Sequence, residues 1–117
     1  MRALLASILL TVVLPMPNAW ASDYAPLNCS KASTLADRSI CRNYALGQSE
    51  ARMATLFAVT TSLVAMGQRG NIQDAQRAWL NKREACGDNI SCLTKAYDAR
   101  IDELNAVFKA IASRGPF

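Results

Sequence analysis

The chain has 117 residues, of which 51% are hydrophobic and 19% are charged, with 13 Lys and Arg, 9 Asp and Glu, and no histidine. This length suits one domain and is too short for two. The formal charge of +4 is mild and the basic residues are spread among acids, so a nucleic-acid partner is not expected.

The N-terminal residues have the pattern of a secretory signal peptide. Arg2 precedes an apolar run over residues 3–15, and Ala19-Trp20-Ala21 supplies the small-x-small pattern that precedes a cleavage site. The apolar run is shorter than the ~20 residues of a membrane-spanning helix, and Pro15 and Pro17 interrupt it. A signal peptide is therefore favoured over a retained membrane anchor.

Cleavage would separate a signal peptide, residues 1–21, from a single domain, residues 22–117. Loss of Arg2 lowers the formal charge to +3, since twelve basic residues then remain with nine acids. We predict that the domain is periplasmic or secreted, without stable membrane insertion after cleavage. A domain of this size has a small core and usually needs cross-links for stability.

The four cysteines, Cys29, Cys41, Cys86 and Cys92, are an even set in a chain predicted to be exported, which favours two disulfides. A zinc site is the alternative, but there is no C-x-x-C pair and no histidine, so no metal and no cofactor are expected. Three pairings exist, and we favour Cys29 with Cys41 and Cys86 with Cys92. The second pair would lie in adjoining turns of successive helices, near the roughly 5.5 Å Cα separation of a disulfide. A redox-active pair is the weaker alternative there.

The predicted domain begins with an extended leader and a short helix. Residues 22–28 contain Pro26 and no periodic apolar pattern, which predicts an extended leader. Ser33 or Thr34 can cap a helix that ends at Cys41, with Asp37 as the acidic half of a capping box. The inward residues of this helix are predicted to be Leu35 and Ile40.

A long helix is predicted from Tyr44 to Met66. Its apolar stripe follows three-and-four spacing and comprises Met53, Leu56, Phe57, Thr60, Leu63 and Val64. Gly67 and Gly70 are expected to end it, with a turn over residues 68–71.

Two further helices complete the predicted fold. The third runs from Ile72 to Cys86, with an inward stripe of Ala75, Trp79 and Arg83. The fourth runs from Ser91 to Ser113, and its seam comprises Leu93, Tyr97, Ile101, Leu104, Phe108 and Ile111. The expected fold is all-α, a small antiparallel helical bundle of three main helices plus a short N-terminal helix, stapled by two disulfides.

Trp79 and Tyr97 are interpreted as core residues, the tyrosine with its hydroxyl on a polar partner. Arg83 can stack on Trp79 or pair with an acid such as Asp102 or Glu103; an exposed arginine is the alternative.

The acids of the fourth helix, Asp98, Asp102 and Glu103, have the spacing of a solvated helix face rather than of a catalytic pair. The sequence contains no glycine-rich phosphate loop and no nucleophile flanked by a base, so no catalytic residue is assigned and no enzyme activity is expected.

An ordered set of residues covers nearly all of the predicted domain: Cys29, Lys31-Ala32-Ser33, Cys41, Gln76, Trp79, Arg83, Cys86, Cys92, Leu93, Tyr97, Arg100 and Leu104. This set resembles the N-terminal domain family of LprI-type lysozyme inhibitors. The resemblance implies an exported helical domain with two disulfides and a structural motif made by Gln76, Trp79, Arg83, Tyr97, Arg100 and Leu104.

The resemblance implies an exported binding protein that inhibits lysozyme-type glycan hydrolases by direct protein contact. The alternative is a non-enzymatic structural or interaction module of the bacterial cell envelope without a lysozyme target, and a weaker one is an adaptor of a toxin or secretion system. In either of the first two cases a protein partner is expected. The exposed turns predicted at residues 67–72 and 87–91 are the first candidates for its contact surface.

Overall fold

The computed structural model describes residues 27–115, so the predicted signal peptide and most of the predicted leader lie outside the described residues. A short 3-10 helix, Cys29–Lys31, precedes four α-helices: α1, Leu35–Arg42; α2, Tyr44–Leu63; α3, Met66–Ala85; and α4, Ile90–Ala112. No strand occurs within residues 27–115. The all-α class and the helical bundle are therefore confirmed.

Polar side chains cap the N-terminal ends of both α1 and α2. Thr34 Oγ1 accepts a hydrogen bond from the backbone nitrogen of Asp37 at 3.0 Å, as the capping pattern predicts. The side chain of Asn43 caps α2 by accepting from the backbone nitrogen of Leu46 at 3.1 Å, so α2 begins directly after α1.

The prediction that Leu35 points inward is wrong, because its side chain is 55% exposed, whereas Ala36 and Ile40 are buried. Residues four apart share a helical face, while the step of five from Leu35 to Ile40 turns about 140° away.

The corner between α2 and α3 differs from the prediction. Helix α2 stops at Leu63, where Val64 and Ala65 adopt extended backbone, and α3 begins at Met66. Gly67 and Gly70 lie inside α3, and neither has a positive φ. The predicted turn at residues 67–72 is therefore helix.

The buried face of α3 comprises Ile72, Gln76, Trp79 and Arg83, so the prediction that Ala75 lies inward is wrong. Leu63 and Phe108 were also expected inside, but they are 51% and 41% exposed. Leu63 is the last residue of α2. Phe108 is rotated by about 60° around the α4 axis from Ile111, which is buried.

The three long helices run in alternating directions. Contacts between α2 and α3 join rising residue numbers in one helix to falling numbers in the other: Glu50 to Arg83, Met53 to Gln76, and Thr61 to Arg69. Helix α1 contacts α2, α3 and α4, so it is a full member of the bundle rather than an appendage.

Two disulfides cross-link the structure, Cys29–Cys41 and Cys86–Cys92, with Cα separations of 5.6 and 5.5 Å. These are the pairs that the sequence favoured, and they indicate an oxidising compartment. Within residues 27–115, no helix is both long and apolar enough to span a bilayer.

Candidate functional site: a buried polar cluster and a bridged turn

The six residues predicted to form a structural motif lie in the interior, where α3 faces α4. All are buried: Gln76, Trp79, Arg83, Tyr97, Arg100 and Leu104. The rings of Trp79 and Tyr97 meet edge to face with centroids 5.1 Å apart, and Trp79 Nε1 donates to the carbonyl oxygen of Ala96 at 2.8 Å. An aromatic pair of this geometry adds about 1 kcal/mol beyond its buried area. The motif thus holds α3 against α4.

Arg83 joins three parts of the bundle. Its Nη2 lies 3.0 Å from Asp37 Oδ1 and 2.7 Å from Glu84 Oε1, and its Nη1 lies 3.7 Å from Glu50 Oε2. Its guanidinium carbon is 5.8 Å from the ring centroid of Trp79, which confirms the predicted stacking. Arg83 therefore connects α3 to α1 and α2.

The predicted pairing of Arg83 with Asp102 or Glu103 is wrong. Arg83 lies at the level of Tyr97, and Glu103 is six residues further along α4, about 9 Å along the helix axis. Glu103 pairs instead with Arg100, at 2.8 Å. Spacing along the sequence gave no indication that α1 and α2 would supply the acids for Arg83.

Glu50 accepts hydrogen bonds from two separate elements inside the fold. The hydroxyl of Tyr97 donates to Glu50 Oε2 at 2.6 Å, and the backbone nitrogen of Leu27 donates to Oε1 at 3.1 Å. The carboxylate therefore ties α4 and the N-terminal segment to α2, and the predicted polar partner of the Tyr97 hydroxyl is Glu50.

This environment shifts the pKa values of Tyr97 and Arg83. Burial, then the charge of Glu50 and the hydrogen bond to its carboxylate, raise the pKa of Tyr97 well above its ordinary value. Burial alone would lower the pKa of Arg83, but the hydrogen bond to Glu84 and the interactions with Tyr97 and Glu50 outweigh burial, so the pKa is raised. Around neutral pH the cluster holds a cationic guanidinium and a neutral phenol.

Arg100 forms a second polar connection one level further along the bundle. Its Nε donates to Gln76 Oε1 at 2.8 Å and its Nη2 donates to the carbonyl oxygen of Ile72 at 3.1 Å. Gln76 Nε2 lies 3.2 Å from Met53 Sδ, which extends the connection to α2. Gln76 and Arg100 thus connect α3 to α4 and to α2.

Sequence reasoning missed two members of the cluster. Asp37 was assigned only to the helix cap, although its side chain pairs with Arg83. Glu50 was not singled out, yet it lies four residues after Leu46 and three before Met53, both buried. A carboxylate in register with an apolar stripe is the signal that could have identified it.

The turn between α3 and α4 is short, bridged and exposed. Gly87 has a φ of +56°, a left-handed conformation that favours glycine, and the Asn89 side chain caps α4 by accepting from the backbone nitrogen of Cys92 at 2.9 Å. Asp88 and Ile90 are exposed on either side of Asn89. The Cys86–Cys92 disulfide closes this turn.

Two open grooves mark the surface around α2. One, about 490 Å³, runs between α2 and α4 and is lined by Gln48, Arg52, Asp98 and Asp102 among others. The other, about 350 Å³, adjoins the Cys29–Cys41 disulfide and is lined on one side by Tyr44. Asp98 and Asp102 are exposed, as a solvated face predicts.

No protein-family model matches the chain, and no curated protein and no solved structure shows significant similarity to it.

Proposed function

We propose that the protein is an exported, non-enzymatic binding protein that inhibits lysozyme-type glycan hydrolases by direct contact, with residues 1–21 as its signal peptide. The disulfides support export to the periplasm or beyond, because they persist in oxidising compartments. The buried ionisable side chains Arg83, Glu50 and Arg100 form contacts between helices. This structural use of the buried charges is consistent with a role in binding rather than in catalysis. In this proposal the three long helices form the frame and α1 braces it.

The bridged turn carries the proposal. Asp88 lies in the turn and Ile90 begins α4, both between the bridged Cys86 and Cys92, and Asn89 caps α4 between them. A loop that is already ordered loses less conformational entropy on binding than a flexible one. The Asp88 carboxylate also offers local complementarity to lysozymes, many of which are basic, although the protein as a whole is basic.

Inhibition can be measured by the clearing of a bacterial cell-wall suspension by lysozyme, with the oxidised protein in molar excess over several lysozyme types. We expect slower clearing, and a rise of about tenfold or more in the inhibition constant for the double variant Asp88→Ala, Ile90→Ala. Leu63→Ala with Asp98→Ala is the matched control, because it also removes one exposed apolar and one exposed acidic side chain. Unchanged clearing with every lysozyme type would rule out the proposal.

The groove beside Tyr44 favours a second function, that of an envelope interaction module without a lysozyme target. Tyr44 is 84% exposed, and the groove next to it reaches Leu27 and Ile40. An exposed aromatic side chain beside an open groove is typical of a protein-binding surface. Unaffected lysozyme, together with a partner from envelope extracts that binds the protein but not its Tyr44→Ser variant, would favour this function.

A further inference from the structure

One end of the bundle, here called the corner end, consists of residues 61–69 and 107–115. The side chain of Arg69 joins α2 to α3 there, since its Nε donates to the carbonyl oxygen of Thr61 at 2.7 Å. The last turns of α4 lie beside the start of α3, because Gln68 and Val107 line the same groove. The corner end is thus opposite the bridged turn.

Three apolar side chains protrude from the corner end. Met66 is 81% exposed, Leu63 51% and Phe108 41%. Met66 and Leu63 flank the break between α2 and α3, while Phe108 extends from α4 one turn before the buried Ile111. These three exposed apolar side chains lie at the same end of the bundle, which makes this end a candidate contact site.

Charge is segregated along the bundle. Residues 51–73 and 104–117 contain no Asp or Glu, yet the corner end carries Arg69, Lys109 and Arg114. The acids nearest to it in sequence, Asp74 and Glu103, are each paired with an arginine, Arg77 and Arg100 respectively. The corner end therefore carries three basic side chains and no acidic side chain.

We propose that the corner end docks onto an anionic lipid surface. Leu63, Met66 and Phe108 enter the boundary between headgroups and acyl chains, while Lys109 and Arg114 meet the headgroup phosphates. The proposed contact is at the membrane surface and does not involve a membrane-spanning helix. A second copy of the chain fits this end less well, since pairing two corner ends would bring like charges together.

The test is flotation of the oxidised protein, obtained by export of the full chain, with vesicles of phosphatidylglycerol or of phosphatidylcholine. We expect the protein to float with phosphatidylglycerol vesicles and to be released by salt. Each basic residue near the surface is expected to contribute about fivefold to this binding, so Lys109→Glu with Arg114→Glu should remove the preference for anionic vesicles.

A matched pair of triple variants isolates the corner end. Leu63→Ser, Met66→Ser and Phe108→Ser should lower vesicle binding by about tenfold or more. Leu35→Ser, Tyr44→Ser and Ile90→Ser should leave it within about twofold of the parent; those side chains are 55%, 84% and 43% exposed and lie outside the corner end. All six substitutions are at exposed positions, and circular dichroism checks that the helices form.

Equal loss of binding in both triple variants, or no flotation of the parent protein with anionic vesicles, would overturn the proposal. So would a concentration-dependent dimer in light scattering that disappears in the corner-end triple, which would assign this surface to a second copy. The proposal does not rest on lysozyme inhibition. The double variant Asp88→Ala, Ile90→Ala should therefore bind vesicles as the parent does.

Discussion

At the scale of single residues, Glu50 shows how a small core accommodates a buried carboxylate. Its carboxylate meets the Tyr97 hydroxyl, the Leu27 backbone nitrogen and the Arg83 guanidinium. Each contact offsets part of the cost of removing the carboxylate from water. The residue belongs to α2, but its partners belong to three other parts of the chain, so it acts as a joint.

Glu50→Ala is expected to lower the free energy of unfolding by about 2 to 4 kcal/mol, because it leaves buried donors without their acceptor. Urea unfolding followed by circular dichroism measures this change. Asp98→Ala removes an exposed carboxylate and should stay within about 0.5 kcal/mol of the parent. Equal effects of the two substitutions would contradict the role given to Glu50.

The raised pKa of Tyr97 predicts how the free energy of unfolding changes at alkaline pH. Its pKa is raised in the folded protein, so above pH 10 the unfolded chain loses a proton that the folded chain keeps. The stabilisation is complete below pH 10 and falls as the pH rises further, by about 1.4 kcal/mol for each pH unit.

Tyr97→Phe should flatten this alkaline loss while lowering stability at neutral pH by about 1 kcal/mol for the lost hydrogen bond. Urea unfolding at a series of pH values from 8 to about 11 compares the two proteins. Parallel curves for parent and variant would show that Tyr97 does not titrate differently in the two states. The parent and the variant differ only at Tyr97, so the difference between their curves reports on that residue.

At the scale of elements, most helices were predictable and one corner was not. The three-and-four spacing of apolar residues identified α2 and α4, and the Thr34 cap identified the start of α1. The break between α2 and α3 lies at Val64 and Ala65, neither of which is a turn former, while Gly67 and Gly70 lie within α3. The Arg69 side chain covers carbonyl oxygens near the end of α2, including that of Thr61. A local sequence rule does not detect such a contact across the corner.

Gly70→Ala distinguishes the observed helix from the predicted turn. Outside its chain neighbours and the nearby backbone of α3, nothing lies within 4 Å of a Cβ added at Gly70, and its φ is negative. Alanine should therefore stabilise α3 by about 0.5 to 1 kcal/mol. Thermal unfolding measures the change. Gly87→Ala is the control, because its φ of +56° makes alanine unfavourable there, and it should destabilise by about 1 kcal/mol. Destabilisation by both substitutions would instead favour a turn at Gly70.

At the scale of the whole molecule, class and cross-links followed from the sequence, but the contacts between distant helices did not. Cys86 and Cys92 were assigned to adjoining helix ends, and they form a bridge there. The pairing of Arg83 with Asp37 joins residues 46 positions apart. Periodicity places both residues on helices but does not show which faces meet.

Removal of the disulfides should destabilise the whole bundle. In the chain-entropy model, Cys86→Ser with Cys92→Ser costs about 2 kcal/mol, and Cys29→Ser with Cys41→Ser costs about 3 kcal/mol because its loop is longer. Urea unfolding without reductant measures each cost. A reducing agent added to the parent protein should reproduce both losses together, and an unchanged midpoint would mean that the bridges contribute nothing to stability.

Each of the two disulfides lies wholly on one side of the connection between α2 and α3. Cys29–Cys41 closes within the stretch that leads into α2, and Cys86–Cys92 closes between α3 and α4, so no sulfur bond crosses the α2–α3 connection. Backbone scission between Val64 and Ala65 would then yield two fragments that migrate separately on a denaturing gel even without reductant. In native buffer the same fragments would be held together only by non-covalent packing, chiefly of α2 against α4. The molecule is thus suited to fragment complementation, with each half carrying its own internal cross-link.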